Sequence, residues 1–226
     1  MLQCVLKYYK TNQSKIPSIT GRIIPEAVFS KRNYIHSIYE KIRADVAPYN
    51  QSDLLDPIWV NSRGAIARFD RGSVEIRLID SQECPKAEMA VAALMIELVK
   101  ALAEERFMDY ETQTKCRTEG LAQILELCME QGEQAIIRDA DYIRLFGLSE
   151  KEVPAGVIWS SVLNELTSQP GNSLQTWKAT LEVILEKGTL ANRVISALNG
   201  QSESDSIRQV YRTLCACLDK NELFIP

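Results

Sequence analysis

The stretch IWVNSRGAIARFDRGSVEIRLID, residues 58 to 80, restricts the fold more than any other part of the chain. It is rich in β-branched and aromatic residues, alternates apolar with polar positions, and is interrupted by Asp70-Arg71-Gly72. Period-2 alternation around a Gly-containing break is the pattern of a β-hairpin. Most of the chain on either side repeats its apolar residues at helical spacing. A hairpin embedded in helical sequence places the protein in the α+β class: a small antiparallel sheet, including the charged segment at about 58–80, packed on many helices.

A two-residue turn at Arg71-Gly72 sets the register of that hairpin. Asp70 then faces Ser73, Phe69 faces Val74, Arg68 faces Glu75, Ala67 faces Ile76 and Ile66 faces Arg77. Gly72 suits the second position of a type I′ turn, whereas Arg71 is an uncomfortable residue at positive φ. Side chains alternate between faces. Ala65, Ala67, Phe69, Val74, Ile76 and Leu78 form an apolar face, expected to lie against helices that include 86–106. Ile66, Arg68, Glu75, Arg77 and Ile79 form the other face, turned to solvent or to a ligand. Two readings of that face are physically open. It is a solvated surface with an Arg68–Glu75 cross-strand pair worth about 0.2–1 kcal/mol. Or it is a site for an anion and a metal, because the arginine fork matches phosphate or carboxylate and a carboxylate can hold magnesium. The spacing does not choose between them.

Around the hairpin, CVLKYY (4–9) reads as a short strand, followed by a polar loop ending in TGRIIP. Pro25 can open a helix, and Val28, Ile35, Ile38, Ile42 and Val46 continue it over 26–46. Pro48 stops it. After Pro85, AEMAVAALMIELVKALAEERF is apolar nearly all round, as in a largely buried helix. Further helices are predicted at 118–132, 139–146, 155–168, 173–187, 189–199 and 204–219. Asp139 sits at a predicted N-terminus, Ser173 and Thr189 can start helices, and Gly188 can end one. Organisation follows from this pattern: a sheet-and-helix region over 1–110 and a helical region over 111–226 packed on it as one compact domain.

Composition narrows the function classes. Apolar residues are 46% of the 226, enough to bury a core. The net charge of −4 gives no basic excess for nucleic acid or a membrane surface. No apolar run approaches the roughly 18 residues needed to span a bilayer, and MLQCVLKYYKTNQSK lacks the features of a signal peptide. A cytoplasmic protein is expected. Six scattered cysteines with no C-x-x-C pair, and the single histidine His36, argue against a Cys/His zinc site. The thiols are expected to be reduced and mostly buried. No Gly-rich phosphate loop, G-x-S-x-G elbow or H-E-x-x-H motif is present.

The block NSRGAIARFDRGSVEIRLIDSQECPKAEMAVAAL (61–94) resembles the corresponding stretch of the bacterial glutamate–cysteine ligase family, in its carboxylate–amine ligase branch. TGRIIPE (20–26), RDADYIRLFG (138–147), VPAGVIW (153–159) and VYRTLCACLDKNELF (210–224) resemble the same proteins, so the likeness covers nearly the whole chain. It implies a glutamine-synthetase-like α+β fold. It also implies an ATP- and Mg2+-dependent reaction that joins a carboxylate to an amine through an acyl phosphate, with glutamate and cysteine or similar amino acids as substrates. In this family the Glu-x-Arg strand faces the nucleotide. That assigns Glu75 to metal and Arg77 to phosphate or the acyl phosphate, with Arg68 and Arg63 in the same anionic pocket. Ser62 stands where the family has Ala, a change of little consequence.

Members of the family are longer, and this chain resembles their C-terminal half. Their N-terminal half carries a Glu-x-Glu strand that supplies further metal ligands. Glu150 and Glu152 share that spacing but lie in a loop before a helix. Two metals need more carboxylates than this chain offers, so little or no ligase activity is expected from it alone. The alternative from a different class is a non-catalytic interaction or regulatory protein derived from this fold, and a third possibility is one subunit of a split ligase. The partner is then a missing N-terminal half, or a second copy joined at an exposed sheet edge.

Several other residues carry two readings. His36 in IHSIYEKI is a structural or surface histidine, or a catalytic one. Cys84 is a small buried thiol, or a group near a cysteine substrate. Asp80 and Glu83 neighbour the site, or serve a helix N-terminus where carboxylates favour the dipole. Arg22 is a surface cation or a substrate contact. Trp159 and Trp177 are expected in the core.

Overall fold

Ser30 starts the first long helical segment: its side chain accepts the Asn33 N–H, and α1 (Lys31–Tyr34) follows. A π-helical turn (Ile35–Tyr39) and α2 (Glu40–Val46) continue it without a break. The expected helix over 26–46 is thus corrected at its start. Residues 25–29 lie outside it, and the capping hydroxyl at Ser30, not Pro25, supplies the N-terminal signal. The wide π turn lets both Ile38 and Tyr39 be buried.

The protein is described by a computed structural model covering residue 11 and residues 14–168 and 172–226; the strand expected at CVLKYY falls outside them. It is an α+β fold, mostly helical, with two small antiparallel sheets of two strands each. The chain divides into two compact units, Met1–Asp80 with Thr114–Glu126, and Ser81–Gln113 with Leu127–Pro226.

In the first unit Tyr34, Ile38, Tyr39, Ile42 and Val46 form a buried cluster, covered by Ile16, Ile19, Val28, Leu55, Ile58 and Ala67 among others. Ile38 and Ile42 are wholly excluded from solvent, and each such side chain contributes about 1.5–3 kcal/mol by burial. The segment Ile58–Val60, expected as strand, lies instead in a one-turn helix, α3 (Pro57–Val60). Pro57 occupies its first turn and Asp56 accepts the Ile58 N–H. The strands are shorter than the alternation implied: β1 (Ala65–Arg68) and β2 (Ser73–Ile76).

Their register corrects the sequence reading by two residues. Ala65 pairs with Ile76, Ile66 with Glu75, Ala67 with Val74 and Arg68 with Ser73. The loop is Phe69–Gly72, closed by an Arg71 N–H to Arg68 C=O bond of 3.0 Å. Only Gly72 takes positive φ, at 60°. The four-residue loop places the left-handed conformation on glycine and spares Arg71, which the two-residue turn would have strained. Tyr39 donates to the Ala67 carbonyl, and Tyr34 meets the Phe69 ring edge-on at 5.4 Å. The hairpin's Ala67–Phe69 side therefore packs on the 31–46 segment of its own unit.

In the second unit, α4 (Pro85–Ala103) buries Ala87, Ala90, Leu94, Leu98 and Ala101. A one-turn α5 (Tyr110–Gln113) follows it, and α6 (Thr118–Gln131) spans the boundary between the units. Then come β3 (Ile136–Ile137), α7 (Ala140–Arg144), β4 (Val153–Pro154) and α8 (Ala155–Thr167). The β3–β4 pair, in which Ile137 faces Val153, is too short to show any alternation in sequence. The rest is α9 (Lys178–Lys187), α10 (Leu190–Leu198) and α11 (Ser204–Lys220), and α4 packs on both α8 and α9. Asp139 and Thr189 cap α7 and α10 as expected, whereas the turn at 173–176 is capped by Asn172 rather than Ser173.

An internal ion pair ties the second unit's ends together. The Arg193 guanidinium donates to Glu83 and to the Phe224 carbonyl (2.6 Å), and its Nε to the Gly188 carbonyl (3.0 Å). Glu83 also accepts the Phe224 N–H at 3.0 Å.

Candidate functional site

The candidate site is the side of the hairpin that carries Arg68, Glu75 and Arg77. Alternation puts these three on one side as expected, but the corrected register makes Arg68 and Glu75 diagonal neighbours. Arg68 Nη1 lies 2.8 Å from one Glu75 oxygen, and Arg77 Nε lies 2.8 Å from the other. Arg68 also forks onto Asp70, with Nε at 3.0 Å and Nη2 at 2.9 Å. The expectation that this side is open to solvent or ligand is corrected at Arg68, which is 3% exposed. Its guanidinium lies 4.8 Å from the centroid of the Trp59 ring, a cation–π contact.

Electrostatics follow from this geometry. The hydrogen bonds from Arg68 hold both Asp70 and Glu75 below the usual carboxylate range, and the two carboxylates hold Arg68 above its ordinary value. Arg68, Asp70 and Glu75 are therefore all charged near neutral pH. Arg68, Arg71 and Arg77 face two carboxylates, Asp70 and Glu75, which leaves one positive charge over for an anion.

The arginines differ in what they can still bind. Arg77 gives its Nε to Glu75 and its backbone N–H to the Gly64 carbonyl, and its Nη groups have no hydrogen-bond partner among the described residues. Glu75 thus aims an open fork. Arg68 is held by its two carboxylates and positions Glu75. Arg63 is 2% exposed. It donates to Glu26, to the Ser18 carbonyl (3.0 Å) and to Asn61 Oδ1 (3.0 Å), so it joins the loop 18–26 to the hairpin's entry and offers no accessible donor.

Glu75 does not fit a metal ion by itself. Both of its oxygens are engaged by guanidiniums, and among the described residues no group of three His, Cys, Asp or Glu side chains could hold a metal. Magnesium requires near-octahedral oxygen ligation.

The remaining candidates fall elsewhere. His36 pairs with Glu40 at 2.8 Å and lines an open cavity of about 900 Å3 with Lys31, Arg32, Asn33 and Ile35. Arg22 lies 3.8 Å from Glu119, with both side chains largely exposed. Glu83 is in the second unit's internal ion pair, and Asp80 is exposed. Cys84 is buried, but Cys116, Cys128 and Cys217 are only half-buried and Cys215 is exposed, which corrects the expectation of mostly buried thiols. Burial pushes the Cys128 and Cys217 thiols up. Trp159 is 37% exposed and Trp177 half-buried, so neither is a core residue. Glu152 pairs with Arg138, and Glu150 accepts the Ser149 N–H.

Trp59, Asp70 and Arg71 belong to the cluster and were not singled out in the sequence. The one available signal was the excess of charge in the Asp-Arg-Gly break. Trp59 carried none, because only the packing of α3 beside the hairpin brings its ring over Arg68.

No family model matches the chain, and no solved structure matches it. An uncharacterized protein of the archaeon Archaeoglobus fulgidus is 26% identical to it over 223 residues, which cover 97% of this chain and 52% of the relative. The chain therefore spans about half the length of the curated relative that it matches.

Proposed function

We propose that this chain is the C-terminal portion of an ATP-dependent carboxylate–amine ligase of the glutamate–cysteine ligase type, working through an acyl phosphate in the cytoplasm. The observation that carries this reading is the Arg77 fork, held by Glu75 on the hairpin within a cluster of net positive charge. In the reaction Arg77 meets the transferring phosphoryl group or the acyl phosphate, and Arg68 acts as a positioning residue through Glu75. Fixed cations aimed at developing phosphate charge accelerate such transfers because they need no reorganisation during the reaction. Magnesium, when bound, neutralises phosphoryl charge. Among the described residues no three carboxylate, thiol or imidazole side chains gather to hold a metal, and the remaining ligands are assigned to the N-terminal half. The twofold greater length of the archaeal relative supports the same reading. Glutamate and cysteine, or similar amino acids, are the proposed substrates, and the partner is an N-terminal half carrying the remaining carboxylates.

A non-catalytic interaction or regulatory protein that keeps this fold is the second reading. It draws on Arg63 and Arg68, both closed off in internal pairs. A split ligase, completed by a separately encoded subunit, is a variant of the first. The test is phosphate release from ATP in the presence of glutamate and cysteine, run on this chain and on the full-length archaeal relative. The relative should release phosphate only when acid and amine are both present, and this chain should release little or none. Robust turnover by this chain alone would overturn the assignment of an incomplete site. No acid- and amine-dependent release by the relative, across a panel of amino acids, would favour the second reading.

A further inference from the structure

The ligase reading leaves Trp59 without a role. Trp59 is 59% exposed although its ring lies over a guanidinium that is almost wholly buried. A residue serving only to shield Arg68 would gain from being buried itself. The backbone that carries Trp59 is defined by local contacts. The residue sits in the one-turn α3, with Pro57 in the first turn and Asp56 accepting the Ile58 N–H at 2.8 Å. Its guanidinium neighbour Arg68 is fixed by Asp70 and Glu75. A tryptophan side chain has only two torsions, so it loses little freedom when another ring stacks on it.

One cation with unused donors lies beside this ring, and a second lies farther along the same ion-pair chain. Arg71 lies 6.0 Å from the Trp59 centroid and is largely exposed, and its contact with Asp70, at 3.7 Å, is too long for a hydrogen bond. Arg77 is linked to the ring through Glu75 and Arg68 and keeps its Nη groups open. An aromatic face with one open guanidinium beside it and a second two ion pairs away suits a ligand that is part planar ring and part extended, multiply charged anion. Ring-on-ring stacking tolerates any base, and arginine forks match phosphate oxygens.

We infer that Trp59 is the base-stacking platform of a nucleoside-phosphate site, with Arg71 and Arg77 receiving the phosphates. The inference rests on the nucleotide dependence of the ligase reading and assigns the base to a residue that reading does not use. The test is displacement of a fluorescent nucleotide analogue from the full chain by ATP, by adenosine and by tripolyphosphate. Trp59→Ala should weaken ATP by about 10-fold or more, since one base–aromatic stack is worth that much, and leave tripolyphosphate within about twofold. Arg77→Ala should weaken both ATP and tripolyphosphate. Trp59→Phe should keep most of the ATP affinity, whereas Trp59→Leu, which still covers Arg68 but has no π face, should lose as much as Trp59→Ala. Circular dichroism melting checks that each variant is folded. ATP affinity unchanged in Trp59→Leu, or equal loss of ATP and tripolyphosphate, overturns the stacking role and leaves the ligase reading standing. A native chain that binds neither ATP nor tripolyphosphate overturns the stacking role and the ligase reading's nucleotide site together.

Discussion

Replacing Arg193 by Met should destabilise the second unit by about 3–5 kcal/mol, the usual cost of removing one partner from a buried ion pair. The side chains of Arg193 and Glu83 are 1% and 0% exposed. Arg193→Met leaves the Glu83 carboxylate in a dry interior with the Phe224 N–H as its remaining hydrogen-bond donor. It also strips the Gly188 and Phe224 carbonyls of a donor. The hydrocarbon stem is largely replaced by the thioether, so lost packing contributes little beside the stranded charge. With a urea slope of about 1–3 kcal/mol per molar, the midpoint should fall by roughly 2 M. Urea unfolding read from Trp159 and Trp177 in a Trp59→Phe background reports this unit, which contains both tryptophans. Combining Arg193→Met with Glu83→Leu removes the orphaned charge and should cost less than Arg193→Met alone. A single-variant cost under about 1 kcal/mol, or a double variant as costly as the sum of its singles, would refute the reasoning.

Two further perturbations test the first unit. Ile42→Ala, at a position wholly excluded from solvent, should cost about 2–5 kcal/mol, read as a lower melting temperature; a shift no larger than that of a surface substitution would contradict the cluster around Tyr34 and Ile38. Burial alone would raise the Glu26 carboxyl, but the Arg63 fork outweighs it and holds the group below its ordinary value of 4.5. A depressed folded value means that the pair's contribution is present above the ordinary value and lost as pH falls through the folded one. Denaturation midpoints should therefore decline on acidification through the carboxylate range, more steeply in the native chain than in Glu26→Gln, and parallel declines would count against the pair.

The helical spans are legible in sequence because each rests on contacts within a few residues. Thr189 caps α10 through Asn192, three positions on, and the apolar positions of α4 repeat along its own axis. The π turn at Ile35–Tyr39 is not legible, and the Tyr39 hydroxyl within it bonds Ala67 across 28 positions, a contact no local pattern encodes. Alternation correctly put Arg68, Glu75 and Arg77 on one side of the hairpin, because side-chain parity survives a two-residue shift of register. Whether those residues could meet a ligand was beyond the pattern.

Local periodicity, caps and turn residues were enough to specify an α+β chain with a charged hairpin and its run of helices. The uses of the individual arginines came from folding. Arg63 meets Glu26 across 37 positions, Arg193 meets Glu83 across 110, and Arg68 disappears beneath Trp59. Burial and pairing of a charge depend on what the whole chain brings around it, and no spacing along one element encodes that. Of the arginines expected in the pocket, tertiary packing left an open fork on Arg77 alone, and it added an aromatic face and Arg71, which the linear pattern did not mark.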